Sequence, residues 1–251
     1  MPDNPVTPQA ARDLRITVLY DNYPDKDGLE TAWGFACVIQ GLEKTILFDT
    51  GGDGRPLLAN MKACWIEPED IDILAISHQH WDHHGGIYNF LEKSQGVSLY
   101  VPASFSAIFK KDVQRYTCHL IDVKAPLKLC EHVYSTGDID GTIREQALVL
   151  HTEKGIIVIT GCAHPGIVKI LKTAKEVVQD MIFFVLGGFH LMHDKSDSIE
   201  QVVSEFKQLG VRYAAPTHCS GDLARDMFKQ AYQDKYLPIG AGTVINTKDL
   251  V

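Results

Sequence analysis

Four aliphatic runs in this chain each give way, within a few residues, to a histidine. His78 follows Ile-Asp-Ile-Leu-Ala-Ile-Ser, His164 follows Gly-Ile-Ile-Val-Ile-Thr, His190 follows Met-Ile-Phe-Phe-Val-Leu, and His218 follows Val-Arg-Tyr-Ala-Ala. Runs this short and aliphatic predict buried strands. Polar groups at the ends of such strands collect on one rim of a sheet, where loops build sites on a rigid scaffold. One such histidine reads as structural. Four, one of them inside a dense cluster, read as metal ligands.

The surrounding pattern supplies the scaffold. Strands dominate the first part of the chain, and later strands alternate with amphipathic helices, one predicted over Ile167 to Gln179 and another over Asp222 to Ala231. That order predicts a layered α/β protein and not an all-β barrel. Residues 1–13, with Pro2, Pro5 and Pro8, read as a flexible lead, and residues 14–251 as one domain. A chain of 251 residues with 45% hydrophobic and 22% charged content can bury a substantial core. Its net charge of −8 argues against a nucleic-acid partner, which needs a basic face. No run reaches the roughly 18 apolar residues of a membrane span, and the polar start shows no secretory h-region. The six cysteines form no CxxC pair, so they read as reduced thiols of a cytoplasmic protein. Cys162 and Cys219 flank predicted ligands; a thiolate can bind zinc, but since neighbouring residues usually point apart they read as buried spectators.

The cluster itself is Ser77-His78-Gln79-His80-Trp81-Asp82-His83-His84-Gly85-Gly86. His78 and His80, two apart, share one side of an extended backbone. Asp82 and His83 need a turn to reach a neighbouring position. Four ligands in six residues cannot all wrap one tetrahedral ion without leaving the distant histidines idle. Two ions about 3.5–4 Å apart use them all, as in two-metal hydrolytic sites. Zn²⁺ is the leading expectation, with Mn²⁺, Fe²⁺ and Mg²⁺ as alternatives.

His78-x-His80-x-Asp82-His83 followed by Gly85-Gly86 resembles the signature of the metallo-β-lactamase fold superfamily. So do the upstream Asp49-Thr50-Gly51 loop and the single histidines at 164 and 218. The resemblance implies a four-layer αββα sandwich with the metals at one edge. It implies that His78, His80 and His164 hold one ion, and that Asp82, His83 and His218 hold the other. Val18-Leu19-Tyr20-Asp21-Asn22, Gly161-Cys162-Ala163-His164-Pro165-Gly166, Gly187-Gly188-Phe189-His190-Leu191 and Thr217-His218-Cys219-Ser220-Gly221 are similar to the branch typified by 7,8-dihydropterin-6-methyl-4-(β-D-ribofuranosyl)aminobenzene 5′-phosphate synthase. Most binuclear members carry a bridging Asp where this chain has Gly187-Gly188-Phe189-His190. His190 therefore either replaces the bridge as a ligand or stands behind the ligands.

Asp82 and His190 are the candidate catalytic residues. Asp49 is expected to receive an N–H from a ligand histidine, or to be a plain turn residue. His84 is expected behind the ligands or facing substrate, and Asp21, Asn22 and Ser220 are candidates to line the substrate. Trp33, Phe35 and Trp81 could stack on a heterocycle or simply pack, and Lys110, Lys111 and Arg115 read as a solvated helix face in preference to a phosphate-holding cover over the site. The function these features imply is a binuclear metal-dependent enzyme acting on an anionic, phosphorylated small molecule. It would be hydrolase-like, or a transferase condensing a dihydropterin diphosphate with an arylamine. The alternative is a non-catalytic protein that binds metal and a pterin-like ligand. A flavodiiron oxidoreductase is disfavoured because His80 stands where that group carries Glu, and a β-lactamase because no export signal is visible.

Overall fold

The computed structural model describes residues 12–251. The flexible lead expected over 1–13 lies almost wholly outside the described residues. From Arg12 onward the strands gather into two sheets. In the first, β1 (Arg15–Tyr20), β2 (Ala36–Gln40), β3 (Ile46–Phe48), β4 (Ile73–Ala75), β5 (Val97–Pro102) and β6 (Cys118–Val123) lie side by side, and β13 (Val244–Asn246) closes the edge beside β1. The second runs from β7 (Leu127–Cys130) through β8 (Val133–Ser135), β9 (Leu148–Thr152), β10 (Gly155–Thr160) and β11 (Ile182–Gly188) to β12 (Tyr213–Thr217).

Alternation along the strands decides the layering. Ile16, Val18, Cys37, Ile39, Ile46, Phe48, Ile73 and Ala75 face the second sheet and meet Leu148, Leu150, Ile157, Ile159, Phe184 and Leu186 there. Their neighbours Ala36, Val38, Leu47 and Leu74 face outward onto α1 (Gly54–Ala63), α3 (Ile87–Leu91) and α4 (Ala107–Val113). On the far side, Val149, Ile156, Val158, Ile182 and Val185 pack against α5 (Ile167–Val177), α6 (Ser196–Gln208) and α7 (Gly221–Tyr232). Three apolar interfaces between four layers make the αββα sandwich. Among the described residues no helix is long and apolar enough to cross a membrane.

The strand directions place the site. β3, β4, β5 and β6 run parallel, as do β10, β11 and β12. Parallel neighbours need crossover connections, and α1, the short α2 (Trp81–His84), α3, α4, α5 and α6 lie in those crossovers. Each C-terminal strand end therefore opens into a loop at one rim: Asp49 after β3, Ser77 and His78 after β4, Cys162 and His164 after β10, His190 after β11 and His218 after β12.

Some expected elements moved. The apolar run Trp33–Ile39 reads as a strand in the sequence, but the strand starts only at Ala36, because Gly34 adopts φ +142 and its backbone lies against the Asp82 carbonyl, where a Cβ would come within 2.4 Å. Residues 103–130, whose mixed sequence shows no clear period, hold α4, β6 and β7; β6 is the edge strand of its sheet, so its burial does not alternate cleanly. The core carries a direct test. Ile159→Ala, emptying a fully buried position between the sheets, is expected to cost about 2–5 kcal/mol in urea unfolding. Ile108→Ala, 76% exposed on α4, should stay within about 0.5 kcal/mol of wild type.

Candidate metal centre

Asp49 organises the rim. Its carboxylate is fully buried and accepts from the Ser77 backbone N–H (2.6 Å), the Ser77 hydroxyl (2.7 Å) and His83 Nδ1 (2.7 Å). These bonds settle two imidazole tautomers. His83 donates its Nδ1–H to Asp49, which leaves Nε2 as the nitrogen turned toward the rim. The Ser77 hydroxyl spends its proton on Asp49 and must accept from His78 Nδ1 at 2.9 Å, which frees His78 Nε2 as well. A third imidazole is set the same way, since His218 Nδ1 donates to Asn22 Oδ1 at 2.9 Å. Its Nε2 is buried and makes no hydrogen bond.

The freed nitrogens converge in two sets. His78 Nε2 and His164 Nε2 each lie 3.1 Å from His80 Nδ1. In the second set Asp82 Oδ2 is 3.3 Å from His218 Nε2 and 3.6 Å from His83 Nε2. Within each set the ligand atoms all lie within 4.8 Å of one another. Two N or O ligands about 2.0–2.1 Å from one tetrahedral ion sit about 3.3–3.4 Å apart, so both sets have the spacing of a divalent-metal site. The orphaned, buried Nε2 of His218 is what such a site needs.

Electrostatics agree. Burial and the neighbouring imidazoles keep His78 well below the ordinary histidine pKa, and push His164 down to about 3. Both are neutral at pH 7, the state that binds metal. Burial would raise the pKa of Asp82, yet the adjacent His218 and His83 hold it well below the usual carboxylate range. Burial likewise opposes charge on His83, but Asp49, Asp82 and Glu145 outweigh it and hold its pKa near 9. That proton stands where the carboxylates call for a cation.

The backbone bends to make this arrangement. Asp49, Ala163, His190 and His218 all have positive φ, at 59°, 65°, 56° and 49°. Non-glycine residues held there store of order 1–3 kcal/mol each, and such strain collects at functional sites. Gly161 ends β10 so tightly that a Cβ would meet Ser77 Oγ at 2.1 Å and Asp49 Oδ2 at 2.9 Å.

Other expected site residues have different surroundings. His190 joins neither His/Asp set; it is exposed, with its ring 4.3 Å from that of His164 and its nitrogen grouped with Cys162 and Cys219. His84 turns toward Phe109 and Phe105, with ring centroids at 5.2 and 6.2 Å. Asp21 and Ser220 are fully buried and fix backbone: Asp21 accepts from Tyr23 N–H and the Thr217 hydroxyl, and Ser220 Oγ accepts from Phe189 N–H. With Asn22 orienting His218, all three candidate substrate residues serve to position others. Phe35 is core, whereas Trp33 and Trp81 are exposed. Lys110 pairs with Asp122, and Arg115 with Asp112.

Two residues were not legible in the sequence. Glu145, fully buried, accepts the backbone N–H groups of Cys162, Ala163 and His164 and so shapes the loop that carries His164. It sits in no motif. Cys162, expected to be a spectator, brings its Sγ 3.2 Å from His83 Nε2.

Comparison with known proteins agrees with this geometry. The model of the metallo-beta-lactamase superfamily matches residues 34–218. The chain belongs to that superfamily. Among its relatives, the 7,8-dihydropterin-6-methyl-4-(beta-D-ribofuranosyl)-aminobenzene-5′-phosphate synthase of Methanocaldococcus jannaschii is 27% identical over 250 residues, covering 82% of this chain and 85% of the relative. The crystal structure of Tm1679, described as a metal-dependent hydrolase of the beta-lactamase superfamily, superposes with a TM-score of 0.77 at 29% identity, over 92% of this chain and 98% of that one. YhfI from Bacillus subtilis, at 15% identity and a TM-score of 0.70 over 94% and 99% of the two chains, shares the metallo-beta-lactamase fold.

Two tests follow from the positioning residues. Asp49→Asn keeps the shape but turns one of the two accepting oxygens that orient His83 and His78 into a donor. Metal affinity by chelator competition should fall about 10–100-fold; unchanged affinity would show that the carboxylate does not orient the ligands. For Asp21, burial outweighs its hydrogen bonds and pushes the carboxyl pKa up to about 6, above the ordinary 3.8. The folded state then binds the extra proton, so this group's contribution to stability is present below pH 4 and lost as pH rises through 6. In chelator-treated protein, wild type should lose thermal stability relative to Asp21→Asn between pH 4 and 6. A difference that stays flat across that range counts against the shift.

Proposed function

We propose that this chain is a divalent-metal-dependent enzyme acting on a phosphorylated small molecule with a planar organic part, and that its chemistry is of the condensing, synthase type. The observation that carries the reading is the pair of converging ligand sets, His78/His80/His164 and Asp82/His83/His218, at one rim. Divalent ions held there supply Lewis acidity and the positive charge that an anionic substrate requires. Zn²⁺ is the proposed ion, at two sites.

A cavity of about 400 Å³ opens beside His164 and His190, between α5 and α6. Its wall is apolar at Ile167, Phe189 and Val202, and its polar edge is formed by Asp194, Ser198 and Glu205. No Lys or Arg lines it. Acceptor side chains beside an apolar wall suit a flat heterocycle rich in N–H groups; the phosphate end is left to the metal rim. The likeness to the Methanocaldococcus jannaschii synthase supports the same assignment.

In this reading an arylamine nitrogen attacks the methylene carbon of a dihydropterin-methyl diphosphate. The new C–N bond forms as the C–O bond breaks, and diphosphate leaves with the electron pair. His190, exposed beside the cavity, is placed to take the amine proton. Asp82 remains ionised and fixes the second ligand set beside His218. A net charge of −8 favours a small anionic substrate over nucleic acid as the partner.

The decisive experiment pairs elemental analysis with turnover on a dihydropterin diphosphate, with and without an arylamine, beside ester, lactone and phosphodiester substrates. Diphosphate release that requires the amine is expected. Release without any acceptor would establish hydrolysis instead, and stoichiometric binding without product would make the protein a carrier. His80→Ala should remove at least one ion and the activity; wild-type metal content in that variant would overturn the assignment.

A further inference from the structure

We infer that the Cys162 thiolate is the fourth protein ligand of the Asp82–His83–His218 ion. The inference rests on the reading that this rim holds divalent metal. Its geometry is independent of the substrate. Cys162 Sγ lies 3.2 Å from His83 Nε2, and the four ligand atoms of Asp82, His83, Cys162 and His218 fall within 4.8 Å of one another, all on buried residues. A sulfur about 2.3 Å and a nitrogen about 2.0–2.1 Å from one tetrahedral ion lie about 3.5 Å apart. The second independent sign is His218 Nε2, fully buried, without a hydrogen bond, and a member of the same group.

The sulfur is held in place from both sides of its residue. The Cys162 N–H donates to Glu145 Oε1 at 2.9 Å, and the Cys162 carbonyl accepts from Cys219 Sγ at 3.5 Å. His83 cannot turn its ring away, because Nδ1 is tied to Asp49. His190 is exposed and meets the set only through Cys162. As the ion binds, the thiol proton passes to solvent and the sulfur lone pair enters the coordination sphere.

A thiolate ligand changes which metals the site selects. Sulfur favours Zn²⁺ and Fe²⁺, whereas an all-oxygen and imidazole site admits Mn²⁺ and Mg²⁺. The second site should therefore keep Zn²⁺ against a large excess of Mn²⁺ in the wild type and lose that preference in Cys162→Ser.

The test is X-ray absorption on the zinc-loaded protein, with metal content measured on the same samples. Wild type and Cys219→Ser should each show a sulfur shell at about 2.3 Å, one sulfur shared over two ions, and Cys162→Ser should lack it. A wild-type shell of nitrogen and oxygen alone, with zinc present, overturns the thiolate ligand and leaves the metal reading standing. Sulfur that persists in Cys162→Ser, or vanishes in Cys219→Ser, also overturns it. Wild-type protein that takes up no zinc overturns both.

Discussion

Asp49 is a charged group sealed away from water, and the rim is arranged around keeping it satisfied. An unpaired carboxylate in that position would be prohibitively unstable, so its oxygens are met by the Ser77 N–H, the Ser77 hydroxyl and His83. Each bond has a second consequence further out. His83 is locked with one nitrogen free, and Ser77 hands the same constraint to His78. One buried anion thereby orients a ligand in each of the two sets.

The same economy of position recurs around Glu145. It is another sealed carboxylate at this rim, and it gathers three consecutive backbone N–H groups from the loop after β10. Ala163 sits in that loop with φ of 65°, and this turn lets Cys162 and His164 serve different ligand sets. The small residues at the strand ends exist for the same reason. Gly161 lets β10 come up against Asp49 and Ser77, and a Cβ on Gly85 would meet the Gly52 carbonyl at 2.2 Å. The glycines close the distance, and the two buried carboxyl groups fix what then meets.

Much of this was visible beforehand. The aliphatic runs before His78, His164, His190 and His218 are strands or lead directly out of them, because burial on both faces leaves a local signature that needs no neighbour to be read. The sandwich and the superfamily followed from the cluster around His78 to His83 together with Asp49. Less was visible where a residue's role depends on a distant partner. Asp21 and Asn22 sit 196 positions from Thr217 and His218, which they hold, and no local pattern announces that pairing. The edge strand β6 was unreadable because edge positions lack a consistent inner face.

What the chain determined by itself, then, is the chemistry available: imidazoles and a carboxylate at strand ends, with glycines beside them. That information is local, since strand period and turn residues act over a few positions. Tertiary structure alone decided which atom faces which. Cys162 lies 79 residues from His83, and its direction is set by a positive-φ neighbour and a buried glutamate outside any motif. Side-chain direction in a strained loop follows from the surrounding packing and hydrogen bonds, and these exist only once both sheets have closed on each other.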